Sequence, residues 1–187
     1  MSPSSGPDVA SRAQRVTYSA LFAVLMALGA YLAIPIGEVP FTLQTFFVYL
    51  VGLVLDPWAA TGSQVLYVLL GTAGLPVFAN GGGGPQVLLG PTGGFLLAFP
   101  LAALAESILA GRRRRGGDII ALAGAFTIVF TLGIAFFLLY FRSGDVLAVA
   151  TSFSPFMAWD AIKAALAYAV GRRLRVVAGG QLTSGRR

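Results

Sequence analysis

The sequence has 187 residues, of which 57% are hydrophobic and only 11% charged. A soluble domain carries roughly 25% charged and 45–50% apolar residues, and a core this small cannot bury such an apolar excess, so a lone soluble domain is excluded and a bilayer is the expected solvent. There is no cysteine and no histidine, which rules out disulfide and thiolate chemistry, the usual zinc sites and a histidine general base.

A spanning helix needs about 20 mostly apolar residues, so the length predicts six spans with short connections. Residues 1–16 carry Ser, Pro and Arg without apolar periodicity and are expected to be a cytoplasmic tail. The first apolar run, Tyr18 to Ile36, is longer than the roughly 7–15 residues of a signal-peptide core, and it is taken as a retained helix. Phe41 to Leu55 is the second run, and Asp56-Pro57 makes the turn into the third, Trp58 to Leu75. Pro76 to Thr92 then holds Gly81 to Gly84 and leads into Gly90-Pro91-Thr92-Gly93-Gly94. The remaining runs are Gly94 to Ala110, Ile119 to Phe141 and Pro155 to Val170, after which residues 175–187 read as a basic cytoplasmic tail. The expectation is therefore an all-α membrane protein of one domain, with a six-helix bundle over residues 17–174.

The formal net charge of +6 orients that bundle. Arg12 and Arg15 precede the first run, Arg112 to Arg115 follow the fourth, and Arg172, Arg173, Arg175, Arg186 and Arg187 follow the sixth. With six spans these all fall on one side, and the other side keeps only Arg142. The positive-inside rule then makes both termini cytoplasmic. The basic character is a topology signal, and no nucleic-acid partner is expected.

One basic residue remains. Lys163 stands inside the last run three positions after Asp160, so the two share a helix face. An intramembrane charge costs on the order of 2.5–3.5 kcal/mol on the insertion scale. A structural ion pair is the plain reading, and a polar ligand site facing the bundle interior is the favoured one. Counting from Pro155 at 1.5 Å per residue puts Asp160 roughly 8 Å and Lys163 roughly 12 Å below the outer edge. Trp159 and Phe156 lie close in sequence and are candidate walls for an apolar pocket.

The glycine-rich segment between the third and fourth runs has no charge, yet Leu75, Val77, Phe78, Val87, Leu88 and Leu89 make it too apolar for a solvated loop. It is expected to fold on the bundle as an external lid, with Asn80 and Gln86 as its polar contacts; non-helical backbone is tolerated at membrane depth where it lines a cavity. Thr42 and Gln44 open the second run at the same face, either as pocket groups or as helix caps. Ser19, Ala23 and Ala27 form a small-residue stripe that suits close helix contact, within the chain or with another membrane protein. Glu106 is expected to pair with the Arg112 cluster or to snorkel to the interface.

The stretches PFTLQTFFVYLVGLVL, LLGTAGLPVFANGGGG and LLGPTGGFLLAF, with WDAIKAALA in the last run, resemble the BioY family over about Tyr18 to Val170. The resemblance implies the substrate-binding S-component of an energy-coupling factor (ECF) transporter, capturing biotin at its outer face. It implies a transmembrane coupling subunit and two cytoplasmic ATPases as partners. It also implies that Asp160, Lys163 and Asn80 contact biotin, that the glycine loop closes over it, and that the stripe of Ser19, Ala23 and Ala27 meets the coupling subunit. Phe41, Tyr49 and Trp159 are offered as apolar walls. Lys163 suits the biotin carboxylate or its ureido carbonyl equally well. No cofactor or metal is implied. The rival readings are an S-component for another vitamin, an autonomous carrier using Asp160 as a proton relay, and an enzyme using Ser63 or Ser107; those serines lie near the cytoplasmic end, out of reach of Lys163.

Overall fold

Each predicted apolar run becomes a helix in the computed structural model, which describes residues 7–35, 37–110 and 116–184, with side chains described for 12–35, 37–110 and 116–175. The runs fall on α1 (Pro7–Tyr31), α2 (Gln44–Val54), α3 (Pro57–Thr72), α5 (Gly93–Ala110), α6 (Gly117–Phe141) and α8 (Ser154–Ser184). Two short helices, α4 (Pro85–Leu88) and α7 (Val146–Ser152), and a 3₁₀ turn at Ala79–Gly81 complete the order. Arg112 to Arg115, Arg186 and Arg187 lie outside the described residues.

By length and composition three described helices are long and apolar enough to cross a membrane: α1 from Arg12, α5 and α6. The helix α2 is as apolar but has only 11 residues. In α3 and α8 the polar side chains that the chain keeps inside, such as Ser63, Gln64, Asp160 and Lys163, lower the average. Helix α1 already begins at Pro7, inside the segment read as a tail, and α8 runs on through its arginines to Ser184.

Local chemistry sets the breaks. Asp56 caps α3, accepting from the backbone N–H of Trp58 at 3.2 Å and of Ala59 at 3.4 Å, and Pro57 takes the first helical position, where no N–H is needed. Asp56 also holds Arg15 of α1 at 3.3 Å, so the start of α1 and the start of α3 share one end of the bundle. At the other end the chain reverses after α1 through a single antiparallel bridge between Ile34 and Phe41.

Glycine permits the most extensive helix contact, between α5 and α6. A Cβ on Gly94 would lie 2.3 Å from Phe136 Cβ, and one on Gly133 would lie 2.3 Å from the Phe95 ring. Such small-residue contacts replace the hydrophobic drive that lipid cannot supply. Around this pair α2 packs between α5 and α8, and α3 between α1 and α5. The buried centre is made of Met26, Val48, Val51, Phe99 and Val129, while Leu21, Leu28, Ile120, Leu139 and Leu166 point outward. An apolar shell around a packed core is what a lipid solvent requires.

Candidate functional site

The Asp160–Lys163 pair is buried, each residue 4% exposed. Two opposite charges removed from water gain by pairing only if their remaining valences are also met. Here α2 meets them. Lys163 Nζ is bonded to Asp160 Oδ1 and donates to Thr45 Oγ1 at 2.9 Å. Thr45 donates in turn to Asp160 Oδ1 at 3.0 Å, and the Tyr49 hydroxyl donates to Asp160 Oδ2 at 3.3 Å. Thr45 and Tyr49 are four residues apart and so lie on one face of α2, which lies against α8. The pair is therefore held by two helices, with hydroxyls as the mortar.

A second network runs beside it. Gln44 Nε2 donates to the Tyr67 hydroxyl at 2.7 Å, and Tyr67 passes its own proton to the Val77 carbonyl at 3.0 Å. Thr42 Oγ1 donates to Gln44 Oε1 at 3.0 Å and accepts from the Gln44 N–H at 3.3 Å, so Thr42 holds the first residue of α2 at both its backbone and its amide. These bonds tie α2 and α3 to the glycine-rich segment.

That segment folds over the same end. Phe78 is buried, meets Tyr67 edge to face at 5.5 Å, and fills the space that Gly71 leaves by having no side chain. Tyr31 at the end of α1 donates to the Pro76 carbonyl at 2.6 Å. Asn80, exposed, takes a left-handed backbone with φ 57° at the centre of the 3₁₀ turn, a conformation in which asparagine is several-fold enriched.

Between these parts is a cavity of about 210 Å³. Asp160, Lys163, Thr45 and Gln44 supply its polar surface and Asn80 faces it from the lid. Phe41 and Phe156, stacked with ring centroids 4.0 Å apart, form an aromatic wall, and Phe78, Phe95 and Phe99 form another. Thr42 and Glu38 stand in the lining with them. The result is a small cavity with apolar walls, one buried ion pair, and amide and hydroxyl groups, a combination suited to a mostly apolar ligand with a compact polar head.

Of the residues singled out from sequence, Asp160, Lys163, Asn80, Thr42, Gln44 and Phe41 line this cavity. Tyr49 lies behind it, buried, and reaches it through Asp160. Trp159 does not join them: it is 42% exposed on the outer surface of α8, because the residue next to Asp160 is turned about 100° around the helix. Gln86 is also elsewhere. It is exposed and its amide donates to the Gly83 carbonyl at 2.6 Å, bracing the lid from within. Glu106 is fully buried and does not snorkel, and the Arg112 cluster offered as its partner lies outside the described residues. In the small-residue stripe of α1, Ser19 donates to the Ala59 carbonyl of α3 at 2.9 Å, Ala23 is 4% exposed, and Ala27 is half-buried. Within this chain the stripe is a helix-packing face.

Among the residues not foreseen are Thr45, Tyr67, Phe95 and Phe99. Thr45 follows Gln44 directly, and its place four residues before Tyr49 was the available signal.

The BioY family profile matches residues 3–179, so the likeness extends into both segments read as tails. The chain is 43% identical to the biotin transporter BioY of Thermotoga maritima over 157 residues, covering 83% of this chain and 92% of that one. It is 37% identical to the probable biotin transporter BioY of Pyrococcus horikoshii, covering 88% and 98%. Among solved structures, the S-component for biotin from an ECF-type ABC transporter superposes with a TM-score of 0.81 at 28% identity, over 88% of this chain and 92% of that one.

Proposed function

This chain belongs to the BioY family, and on that premise we propose that it captures biotin in the cavity between α2, α8 and the glycine-rich lid. It is a membrane protein and the biotin-binding S-component of an ECF-type transporter, as its homologues and its structural neighbour indicate. The observation that carries the site is the buried Asp160–Lys163 pair at the wall of an otherwise aromatic cavity.

The chemistry matches. The ureido ring of biotin carries two N–H donors and a carbonyl acceptor, all of which need partners once out of water. Asp160 accepts, while Lys163, Asn80 and Gln44 donate. Lys163 already spends two of its three N–H groups on Asp160 and Thr45, which leaves one for a ligand oxygen. The thiophane ring and alkyl chain take the faces of Phe41, Phe156 and Phe95. Thr42 orients Gln44, Tyr49 holds Asp160, and the lid around Asn80 closes the cavity.

The wider arrangement follows from the charges. Helices α1, α2, α3, α5, α6 and α8 are the six spans, with both termini in the cytoplasm and the cavity at the outer face. The chain carries no phosphate-binding loop, so ATP hydrolysis belongs to two cytoplasmic ATPases joined through a transmembrane coupling subunit. Of the α1 stripe, Ser19 and Ala27 retain some exposed surface with which to meet that subunit.

The test is equilibrium binding of labelled biotin to the purified chain in detergent, with thiamin and riboflavin as competitors. Saturable binding displaced by biotin alone is expected. A folded sample that binds no biotin overturns the proposal.

A further inference from the structure

A second polar cluster lies toward the opposite end of the bundle, and biotin capture leaves it unused. Its centre is Glu106 of α5, which is 0% exposed and, among the described residues, has no hydrogen-bond partner for either carboxyl oxygen. The place is made for it. On α2 a Cβ at Gly52 would lie 2.7 Å from Glu106 Cδ and Oε2, so only glycine admits the carboxyl there. Gly52 comes three residues after Tyr49 and seven after Thr45, so one stripe of α2 serves both the cavity and this carboxyl.

Among the described residues, the charged groups that act on Glu106 are the Arg175 guanidinium of α8, which attracts it, and the Asp118 carboxylate of α6, which opposes it, while Glu106 itself acts on the Tyr49 phenol of α2. The adjoining α3 brings only uncharged groups, Ser63 and Gln64, both 0% exposed. Arg175 is engaged elsewhere: its Nη1 donates to Asp118 Oδ1 at 3.0 Å. Its Nε and Nη2 are buried and, among the described residues, have no partner. Those two N–H groups form the side-on fork of a guanidinium, the edge that matches a carboxylate with two parallel bonds.

An ionised carboxylate buried without a counter-ion is far more costly than the neutral acid. We propose that Glu106 is an intramembrane proton-binding site, occupied while Arg175 is seated on Asp118 and emptied when Arg175 turns its free fork to Glu106. At Glu106 the charge of the guanidinium replaces that of the proton, which passes to water, and the Asp118 carboxylate, with its side chain 24% exposed, is left to solvent. The exchange is tied mechanically to the cavity, because α8 is one continuous helix carrying Lys163 and, 12 residues later, Arg175. A tilt or rotation of α8 at one end moves the group at the other.

The experiment is infrared spectroscopy of the full chain in nanodiscs at neutral pH, reading the carboxylic-acid C=O stretch and its shift in D₂O. The wild-type chain is expected to show this band, Glu106→Gln to lose it, and Asp145→Asn, altered at an exposed position away from both sites, to keep it. Asp118→Asn releases Arg175 and is expected to abolish the band as Glu106 ionises. Glutamine is close in shape to the protonated acid, and helical circular dichroism checks that each variant is folded. Identical spectra for wild type and Glu106→Gln overturn the site. A band undiminished in Asp118→Asn overturns the exchange with Arg175. A band that emerges only when sodium is replaced by choline makes the occupant a metal cation and overturns the proton assignment.

Discussion

Asp160 accepts from Lys163, Thr45 and Tyr49 and still faces the cavity, so its replacement acts twice. Asp160→Asn leaves Lys163 without its counter-charge and removes an acceptor from the ligand. Loss of a buried partner costs about 1–3 kcal/mol, which is roughly five- to a hundredfold in affinity. Isothermal titration with biotin should show a loss in that range, and the melting temperature of the ligand-free chain should fall as well; full-strength binding would remove Asp160 from the site. Asn80 needs a different substitution, because its φ of 57° makes alanine strained whatever the amide does. Asn80→Gly keeps the backbone and deletes the amide, so it should weaken biotin binding by about 0.5–1.5 kcal/mol, and Asn80→Ala should do more harm. Equal affinity in Asn80→Gly and the wild type would make Asn80 a turn residue alone. At this scale the charges were legible in the sequence, since Asp160 and Lys163 stand in an apolar run with no other reason to be there. Thr45 and Tyr67 were not, because a hydroxyl in a helix says nothing of which neighbour it will meet. Trp159 was misplaced by nearness in sequence; the face shared by Asp160 and Lys163 continues to Phe156, four residues back.

Helices position these groups, and one of the contacts that hold the lid to them is tight enough to be tested alone. A Cβ on Gly71 of α3 would lie 2.1 Å from the Phe78 ring, and the Gly71 carbonyl accepts from the Gly84 N–H at 2.7 Å. Phe78 cannot retreat, because Tyr67 stands at its edge and the bundle surrounds it. Gly71→Ala should therefore push Phe78 and the lid outward while leaving α3 helical. Overpacking of this kind costs about 1–3 kcal/mol. The expected signature is faster biotin release in a stopped-flow chase with little change in helical circular dichroism; an unchanged release rate would mean that the lid does not retain the ligand. The six apolar runs were readable because each is bounded by proline, glycine or arginine. The extension of α1 back to Pro7, the separate α7 and the 3₁₀ turn were not, because capping and tertiary contact decide them more than hydropathy does.

Across the whole molecule the two ends differ in chemistry. One gathers the cavity, the lid and, of the described arginines, Arg142. The other gathers Arg15 on Asp56 and Arg175 on Asp118, with Arg172 and Arg173 nearby. A bilayer sorts such ends by the positive-inside rule, and the absence of cysteine makes the sorting directly measurable. Gln14→Cys places a thiol on exposed α1 near the arginine-rich end, and Ser143→Cys places one just past α6 near the cavity end. With the cavity outside, a membrane-impermeant maleimide should label Ser143→Cys in intact cells and Gln14→Cys only after permeabilisation. The reverse pattern would put the cavity in the cytoplasm, and the chain would then bind biotin where an uptake protein has to release it. Labelling of both in intact cells would put the two positions on one side and break the odd number of spans (α1, α2, α3, α5 and α6) between them. The assignment of biotin capture to the outer face thus depends on the arginines, and the side on which the cavity opens can be measured without any ligand.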